Sequence, residues 1–200
     1  EEYGWRFDES AAWELEASLR KELQEIEDAL QRRFPFVPGG VTTPKRDNAI
    51  SGYRKGAPFT RLKDFNPASR DHIAFILSHY YQWKPTKLTP TKKPIIDEIV
   101  LKEIGTEISL MFLRLMTITK HLGFLSQGGN AWLKLVTTDQ RIHHHCSVAT
   151  VSHRCSHRNP NLSQVPSDNT FRSLFTATPG MVMVGACLLY TSPSPRDGTS

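Results

Sequence analysis

The chain has 200 residues, of which 38% are hydrophobic and 22% charged, and its formal net charge is +5 at pH 7. This size permits one large or two small globular domains, and the modest positive charge favours a polyanionic partner. The acidic, polar N-terminus excludes a signal peptide, and no apolar run reaches the roughly 18 residues of a membrane span. Because no initiating Met is present, we expect the sequence to begin inside a longer chain.

The cysteines indicate a reduced environment. Cys146, Cys155 and Cys187 are an odd set without the spacing of a disulfide framework. We therefore expect free thiols in a cytosolic protein rather than a secreted one.

The first 81 residues predict two helices. Asp8 is a candidate N-cap for a helix that ends at Arg33, with leucines recurring at helical period. Residues 41–63 form a basic, turn-rich connection that has room for a short hairpin. Ser69 is the candidate N-cap of the second helix, which stops near Tyr81.

The next segment predicts a helical hairpin. Residues 82–94 are rich in Lys, Thr and Pro and are expected to cross the surface, and a short helix follows over 97–104. Residues 107–125 predict a long and very apolar helix, which ends at a tip formed by Gly128 and Gly129. A further helix is predicted to begin at 131–136 and to run back as the second arm of an antiparallel hairpin.

The character of the sequence changes after Thr138. Residues 141–148 and 181–184 predict strands, and a loop-rich, basic segment punctuated by Asn and Pro lies between them. We therefore predict an α+β fold that is predominantly helical, with a domain boundary near residue 139.

A cluster of His and Cys residues invites a zinc interpretation, because both are zinc ligands. The spacing argues against it: the cluster contains no CxxC pair, and adjacent strand residues point to opposite faces. We predict no metal site, and we keep a basic, non-enzymatic binding module with a His/Cys metal site at 143–157 as the alternative function. The cluster comprises His143, His144, His145, Cys146, His153, Cys155 and His157.

Two polar clusters are candidates for nucleic-acid contact. Arginines and amides can donate to the acceptors that every base pair presents in the minor groove, although a solvated basic loop would have the same composition. The first cluster contains Arg154, His157, Arg158, Asn161, Gln164 and Arg172. The second lies at the predicted helical tip, where Lys120 and Ser126 are suited to phosphate contact; an ordinary hairpin loop is its alternative. A structural helical protein without a nucleic-acid role also fits.

Six segments together resemble the family A DNA polymerases of phages, and they occur in the order that the family has. They cover Tyr3 to Ala186, nearly the whole chain before its last residues. The segments are YGWRFDESAAWELE, FNPASRDHI, WKPTKLTPTKKPIIDEIVL, MTITKHLGFLSQGGNAWL, RIHHHCSVATVSHRCSHRNPNLSQVPS and FRSLFTATPGMVMVGA.

The resemblance implies a helical DNA-binding thumb over residues 1–138 and the start of a polymerase palm over 139–186. It implies that the parent is a DNA-directed DNA polymerase that uses Mg²⁺, primer–template DNA and dNTPs. The expected location is the cytoplasm of an infected or lysogenic bacterial host, without a membrane partner.

The resemblance also implies roles for individual residues. Arg154 matches an arginine that contacts the minor groove of the primer–template, although Ser152-His153 replaces the usual Thr-Gly before it. Asn161 and Gln164 match positions that line the same groove. We further assign His157 and Arg172 to DNA contact, and Lys120 and Ser126 to the thumb tip that follows the duplex backbone.

Two departures limit what this chain is expected to do. The connection from Phe34 to Phe65 is shorter than in phage enzymes that recruit thioredoxin there, so we do not predict a full processivity-factor insertion. After Ala186 the family has a catalytic Asp that binds magnesium, but Cys187 stands at this position. Residues 187–200 are similar to translated sequencing adapter and are expected to be disordered. We therefore assign no catalytic residue and expect this chain to be inactive in nucleotidyl transfer.

Overall fold

The structure is a computed structural model that describes residues 2–150 and 155–184. Helices and small antiparallel sheets confirm the predicted α+β class. The chain divides into two compact units. We call residues 14–128 the helical unit, and the described parts of residues 1–13 and 129–200 the mixed unit.

The division between the units differs from the predicted boundary near residue 139. The first 13 residues join the C-terminal part because the strand Trp5–Phe7 pairs with strands that come much later in the sequence. Residues 129–138 join it as well, and Trp132 packs edge-on against the rings of Phe7 and Phe175. The assignment of 1–138 and 139–186 as thumb and palm stays a prediction.

Four helices follow the sequence pattern closely. α1 spans Glu9–Arg33, and Asp8 caps it by accepting a hydrogen bond from the Ala11 amide at 3.0 Å. α2 spans Arg70–Tyr80 with Ser69 as its N-cap, as predicted. α3 (Glu98–Ile104) and α4 (Glu107–Leu122) are capped by Asp97 and Thr106, and a π-helical turn over Gly123–Gln127 continues α4. Side chains that accept from the first free amides explain these starts.

Apolar faces of these helices form the core of the helical unit. The buried residues come from the end of α1, from α2, α3 and α4, and from the segments between them. They are Leu30, Phe34, Val37, Phe65, Ile73, Ala74, Ile76, Leu77, Ile96, Leu101, Ile108, Phe112 and Leu115. Residues 107–135 are long and apolar enough for a membrane span by length and composition alone. Within α4, however, the apolar stripe is buried in this core.

Side-chain contacts join α1 and α4, which run antiparallel. Near the start of α4, Glu107 lies 3.7 Å from Arg33 at the end of α1. Further along, Arg114 donates two hydrogen bonds to Glu22, at 2.6 and 2.7 Å. The predicted hairpin across the glycine tip is therefore wrong in its second arm, since α5 is a single turn over Trp132–Leu135.

Two paired strands enclose the basic connection, as the sequence allowed. β2 (Phe36–Thr42) pairs antiparallel with β3 (Phe59–Asp64), with a register shift between Pro38 and Val41. Val37 lies in the helical core, and the next buried residue after β3 is Phe65. These anchors attach the hairpin to the helical unit.

Short strands organise the mixed unit. β1 (Trp5–Phe7) lies between β4 (Arg141–Ile142) and β7 (Phe175–Thr176) in an antiparallel sheet. A separate hairpin pairs β5 (His145–Ser147) with β6 (Ser156–Arg158). The one-turn helix α6 spans Asn169–Arg172 and is capped by Asp168.

Two strand predictions need correction. The strand predicted over 141–148 is two short strands, because β4 pairs with β1 whereas β5 pairs with β6. Residues Met181–Val184 do not form a strand and are exposed; no described strand pairs with them. The predictions for residues 187–200 lie outside the described residues.

Candidate nucleic-acid interface

Residues 155–172 carry most of the sequence-predicted contacts to DNA, and backbone turns fix their positions. β6 ends at Arg158, and a cis peptide bond joins Asn159 to the buried Pro160. A 3₁₀ turn over Leu162–Gln164 follows, and then α6. The segment is thus built from short elements that present polar side chains between them.

Four of the predicted DNA-binding residues lie on this segment, and three of them, Asn161, Gln164 and Arg172, follow β6. Asn161 caps the 3₁₀ turn: its Oδ1 accepts from the Ser163 amide at 3.2 Å and from the Ser163 hydroxyl at 2.6 Å. Its carboxamide NH₂ is therefore the group that can donate to a ligand. Gln164 and Arg172, at the ends of the 3₁₀ turn and of α6, are exposed. Arg154 lies outside the described residues.

His157 is placed differently from these three residues. It lies in β6, is half-buried, and stacks on His144 with ring centroids 5.2 Å apart. Its Nδ1 is buried without a hydrogen-bond partner in the structure. The structure thus puts His157 in the β5–β6 hairpin, where its ring packs against protein.

The two predicted residues near the end of α4 also differ from each other. Lys120 is 61% exposed, and its Nζ lies 3.9 Å from a Glu98 carboxylate oxygen, a loose contact that leaves the ammonium accessible. Ser126 instead donates to Glu16 at 2.8 Å, and Glu16 is only 5% exposed. Glu16 also accepts from Arg20. The Ser126 hydroxyl therefore helps to satisfy a buried carboxylate.

Sequence reasoning missed Arg70 as a candidate contact. Arg70 is exposed in the first turn of α2, and it lines a groove of about 290 Å³ together with Lys120. Pro67, Ile73 and Met116 supply apolar walls to the same groove. Two cations on one groove can contact a phosphate chain. The sequence signal is the Arg that directly follows the FNPAS turn.

Arg141 has a structural role at the edge of the sheet. Its guanidinium lies 4.0 Å from the Tyr3 ring centroid and donates to the Thr178 hydroxyl at 2.9 Å. The hydrogen bond with Thr178, and then the charge of Arg141, lower the pKa of Tyr3. These contacts join the N-terminal segment to the residues after β7.

The His/Cys cluster converges more than its spacing suggested. One ligand atom each from His144, Cys146 and His157 lies within 4.8 Å of the others. Cys146 is also bonded to Cys155 as a disulfide, with Cα atoms 6.3 Å apart. The expectation that these two cysteines are free thiols is therefore wrong for this structure, because pairing of β5 with β6 brings their backbones close.

The described residues do not fit a magnesium site. Mg²⁺ takes oxygen ligands, whereas the group of possible ligands found among the described residues consists of two imidazoles and a sulfur. In the mixed unit, the carboxylates of Asp8 and Asp168 act as helix caps.

Comparison with known proteins gives two relatives in sequence. The chain is 37% identical over 154 residues to the DNA-directed DNA polymerase of Enterobacteria phage T3. This match covers 67% of this chain and 22% of the relative. It is 37% identical over 124 residues to that of Escherichia phage T7, covering 57% and 17%. The chain thus spans about a fifth of the curated relatives' length. No protein-family model matches it.

A solved structure shares the fold. The POL domain of Pol1 from M. smegmatis, in complex with DNA primer-template and dNTP, aligns with a TM-score of 0.64. The match covers 89% of this chain and 27% of that one, at 18% sequence identity. At this identity the likeness concerns the fold, and it agrees with the two sequence relatives.

Proposed function

We propose that this chain, which belongs to the family A DNA polymerases, supplies part of the surface that holds primer–template DNA. The observation that carries the proposal is the 37% identity over 154 residues to the phage T3 DNA polymerase. Nucleotidyl transfer with dNTPs and Mg²⁺ is proposed for the intact enzyme, in the cytoplasm of a bacterial host. A full thioredoxin-type insertion is not part of the proposal, because the connection between Phe34 and Phe65 is short.

The mixed unit supplies hydrogen-bond donors for the minor groove. Gln164 and Arg172 are exposed, and the Asn161 carboxamide NH₂ is oriented by two hydrogen bonds to its own oxygen. Minor-groove acceptors on A·T and G·C pairs are largely equivalent, so such donors hold a duplex with little dependence on its sequence. Arg154 belongs to this proposed set by its match to the family motif.

The helical unit supplies cations for the phosphate backbone. Lys120 and Arg70 line one groove, and both side chains are exposed. Phosphate contacts fix the position of a protein on the duplex without reading the sequence. Ser126 is the weakest member of the proposed set, because its hydroxyl already donates to the buried Glu16.

Chemistry at the primer terminus is not proposed for this chain itself. Two-metal phosphoryl transfer needs carboxylates that clamp the attacking and leaving oxygens. Cys187 stands where the family places the first of them. We therefore expect no magnesium-dependent primer extension by the purified chain, and extension that survives removal of contaminating polymerases would contradict this.

Fluorescence anisotropy with a labelled primer–template tests the DNA-binding residues. We expect the double variant Gln164→Ala/Arg172→Ala to raise the Kd about tenfold, and by a similar factor on duplexes of different sequence, because each lost donor removes a groove or backbone contact. Arg32→Ala is the matched control, since it removes an exposed cation at the end of α1. An effect of the control equal to that of the double variant would contradict the assigned interface.

The groove on the helical unit has a separate readout. Replacing Lys120 or Arg70 by Ala should each reduce the slope of log K against log salt by about one, because each removes one phosphate contact. Lys102→Ala, an exposed cation on α3, is expected to leave the slope unchanged. An unchanged slope in both groove variants would remove the helical unit from the proposal.

A further inference from the structure

The β5–β6 hairpin brings three metal-binding side chains to one place. Cys146 lies directly opposite His157 in the antiparallel register. His144 lies two residues before Cys146, and a two-residue step returns a side chain to the same face of a strand. The His144 and His157 rings stack with centroids 5.2 Å apart, so the three side chains share one side of the hairpin.

The distances suit a small tetrahedral metal ion. The three ligand atoms lie within 4.8 Å of one another. Zinc binds His nitrogen at about 2.0–2.1 Å and Cys sulfur at about 2.3 Å, which places tetrahedral ligand atoms roughly 3.4–3.8 Å apart. The ligand atoms would have to approach one another by about 1 Å to bind the ion.

A second observation points to a ligand. The Nδ1 atom of His157 is buried and has no hydrogen-bond partner in the structure. A buried polar atom without a partner destabilises the fold, and a metal ion would satisfy this nitrogen. His157 is half-buried, as are His144 and Cys146, so a bound ion would be partly shielded from water.

Cys155 is exposed and lies outside this three-ligand group, but its sulfur can supply a fourth ligand. Cys155 is bonded to Cys146, so its sulfur adjoins the three-ligand group and becomes a second thiol when the disulfide is reduced. Neither His143 nor His145 belongs to the group. His143 lies instead against Gly4, where an added Cβ would be 2.9 Å from the imidazole. The face of the hairpin thus selects one of the three consecutive histidines, His144.

We propose that the hairpin is a thiol-dependent zinc site, in which His144, Cys146, Cys155 and His157 bind one Zn²⁺ when the disulfide is reduced. Two imidazoles and two thiolates form a donor set typical of structural zinc. The disulfide form lacks the thiolates and does not bind the ion. The site is independent of the proposed DNA contacts, so either proposal can fail without the other.

A dithiol can serve as the reductant that opens the Cys146–Cys155 disulfide. Two electrons and two protons from the dithiol break the bond between the Cys146 and Cys155 sulfurs and give two thiols, while the reductant becomes its own disulfide. Zn²⁺ then displaces the two thiol protons, which are released to solvent. Zinc affinity is therefore expected to fall with decreasing pH.

Metal analysis of the purified chain is the direct test. After dithiol reduction and removal of excess reagent and zinc, we expect one zinc per chain, and none after reoxidation. His144→Ala and His157→Ala should each lower retained zinc by at least tenfold. His145→Ala is the matched control, because this neighbouring imidazole is outside the group, and it should retain one zinc.

A measurement on the unmodified chain covers the case in which the variants fail to fold. Zinc should slow alkylation of Cys146 and Cys155, as located by peptide mass spectrometry. Equal zinc binding by the oxidised chain, or equal alkylation of these two cysteines with and without zinc, would overturn the proposal.

Discussion

Each of the two units has its own core, and the two cores differ in kind. The helical unit buries mainly aliphatic side chains from four helices and from the loops between them. In the mixed unit, the ring of Trp132 lies within 5.3–6.3 Å of the rings of Phe7, Phe171 and Phe175. A core of large rings between short strands depends more heavily on each residue than a core spread over long helices.

The strand pairings show why the mixed unit is the more dependent on long-range contacts. Trp5 pairs with Ile142, and Phe7 pairs with Phe175, across more than 130 residues of sequence. Each strand of this sheet has two or three residues, which is too few for independent stability. Aromatic packing must therefore stabilise the pairing, and the two units should respond differently to substitutions.

The largest effect is expected for Trp132→Ala. Removing the central ring should destabilise the mixed unit by about 3–5 kcal/mol, because it leaves a cavity between three other rings. Hydrogen exchange resolved by mass spectrometry should show faster exchange in β1, β4 and β7, with α2 and α4 little changed. Trp13→Ala, where the indole is 50% exposed, is the control and should cost much less. Uniform acceleration in both units would contradict their separate cores.

A somewhat smaller effect is expected for Leu77→Ala in the helical unit. Leu77 is fully buried on α2, and its truncation should cost about 3 kcal/mol in urea unfolding. Exchange should accelerate in α2 and α4 rather than in β1 and β7. Leu110 on α4 is 48% exposed. The free energy of unfolding of Leu110→Ala should therefore stay within about 0.5 kcal/mol of the parent value. A comparable loss in both variants would argue against the buried face assigned to α4.

Loss of a helix cap should have a moderate effect. Asp97 accepts from the Val100 amide at 2.8 Å, and Asp97→Ala should lower the free energy of unfolding by about 1 kcal/mol. Glu103→Ala, on the exposed side of the same helix, is the matched control. If the two variants unfold at the same urea concentration, the cap contributes nothing to the helical unit.

The smallest effect is expected for the ion pair between α1 and α4. The hydrogen bond from Arg114, opposed by burial, lowers the pKa of Glu22. A lowered folded-state pKa gives stability that is present above the ordinary pKa of about 4.3 and is lost as the pH falls through the lowered value. Because the pair is partly exposed, Glu22→Gln should cost about 0.5 kcal/mol at pH 7 and progressively less in acid.

Glu25→Gln supplies the control for this pH series, since Glu25 is exposed on the same helix. Its difference from the parent should be small at every pH. A Glu22→Gln deficit that grows towards acid would contradict the direction of the pKa shift.

The helices could be predicted because their signals are local. Asp8 and Ser69 are caps that can be recognised from a few neighbouring residues, and both were confirmed. The second arm of the helical hairpin was wrong because the aromatic rings that pack against Trp132 come from Phe7, Phe171 and Phe175. No local pattern reveals such contacts. The strand β1 was missed for the same reason, because its partners β4 and β7 lie far away in the sequence.

The candidate site was predictable to a different degree in each unit. Motif order identified the segment containing Asn161, Gln164 and Arg172, and the latter two are exposed in the structure. The internal role of Ser126 depends on Glu16, which is 110 residues away. The convergence of His144, Cys146 and His157 depends on the register of β5 and β6. Both require tertiary pairing that spacing alone does not give.

The salt dependence of primer–template binding tests the central claim most directly. We predict that the unmodified chain binds primer–template duplexes of unrelated sequence with similar Kd values, and that log K falls linearly with log salt with a slope of about −2 or steeper, because at least two phosphate contacts are proposed. A chain that shows no salt-sensitive binding, or that binds one duplex sequence far more tightly than the others, would contradict the account.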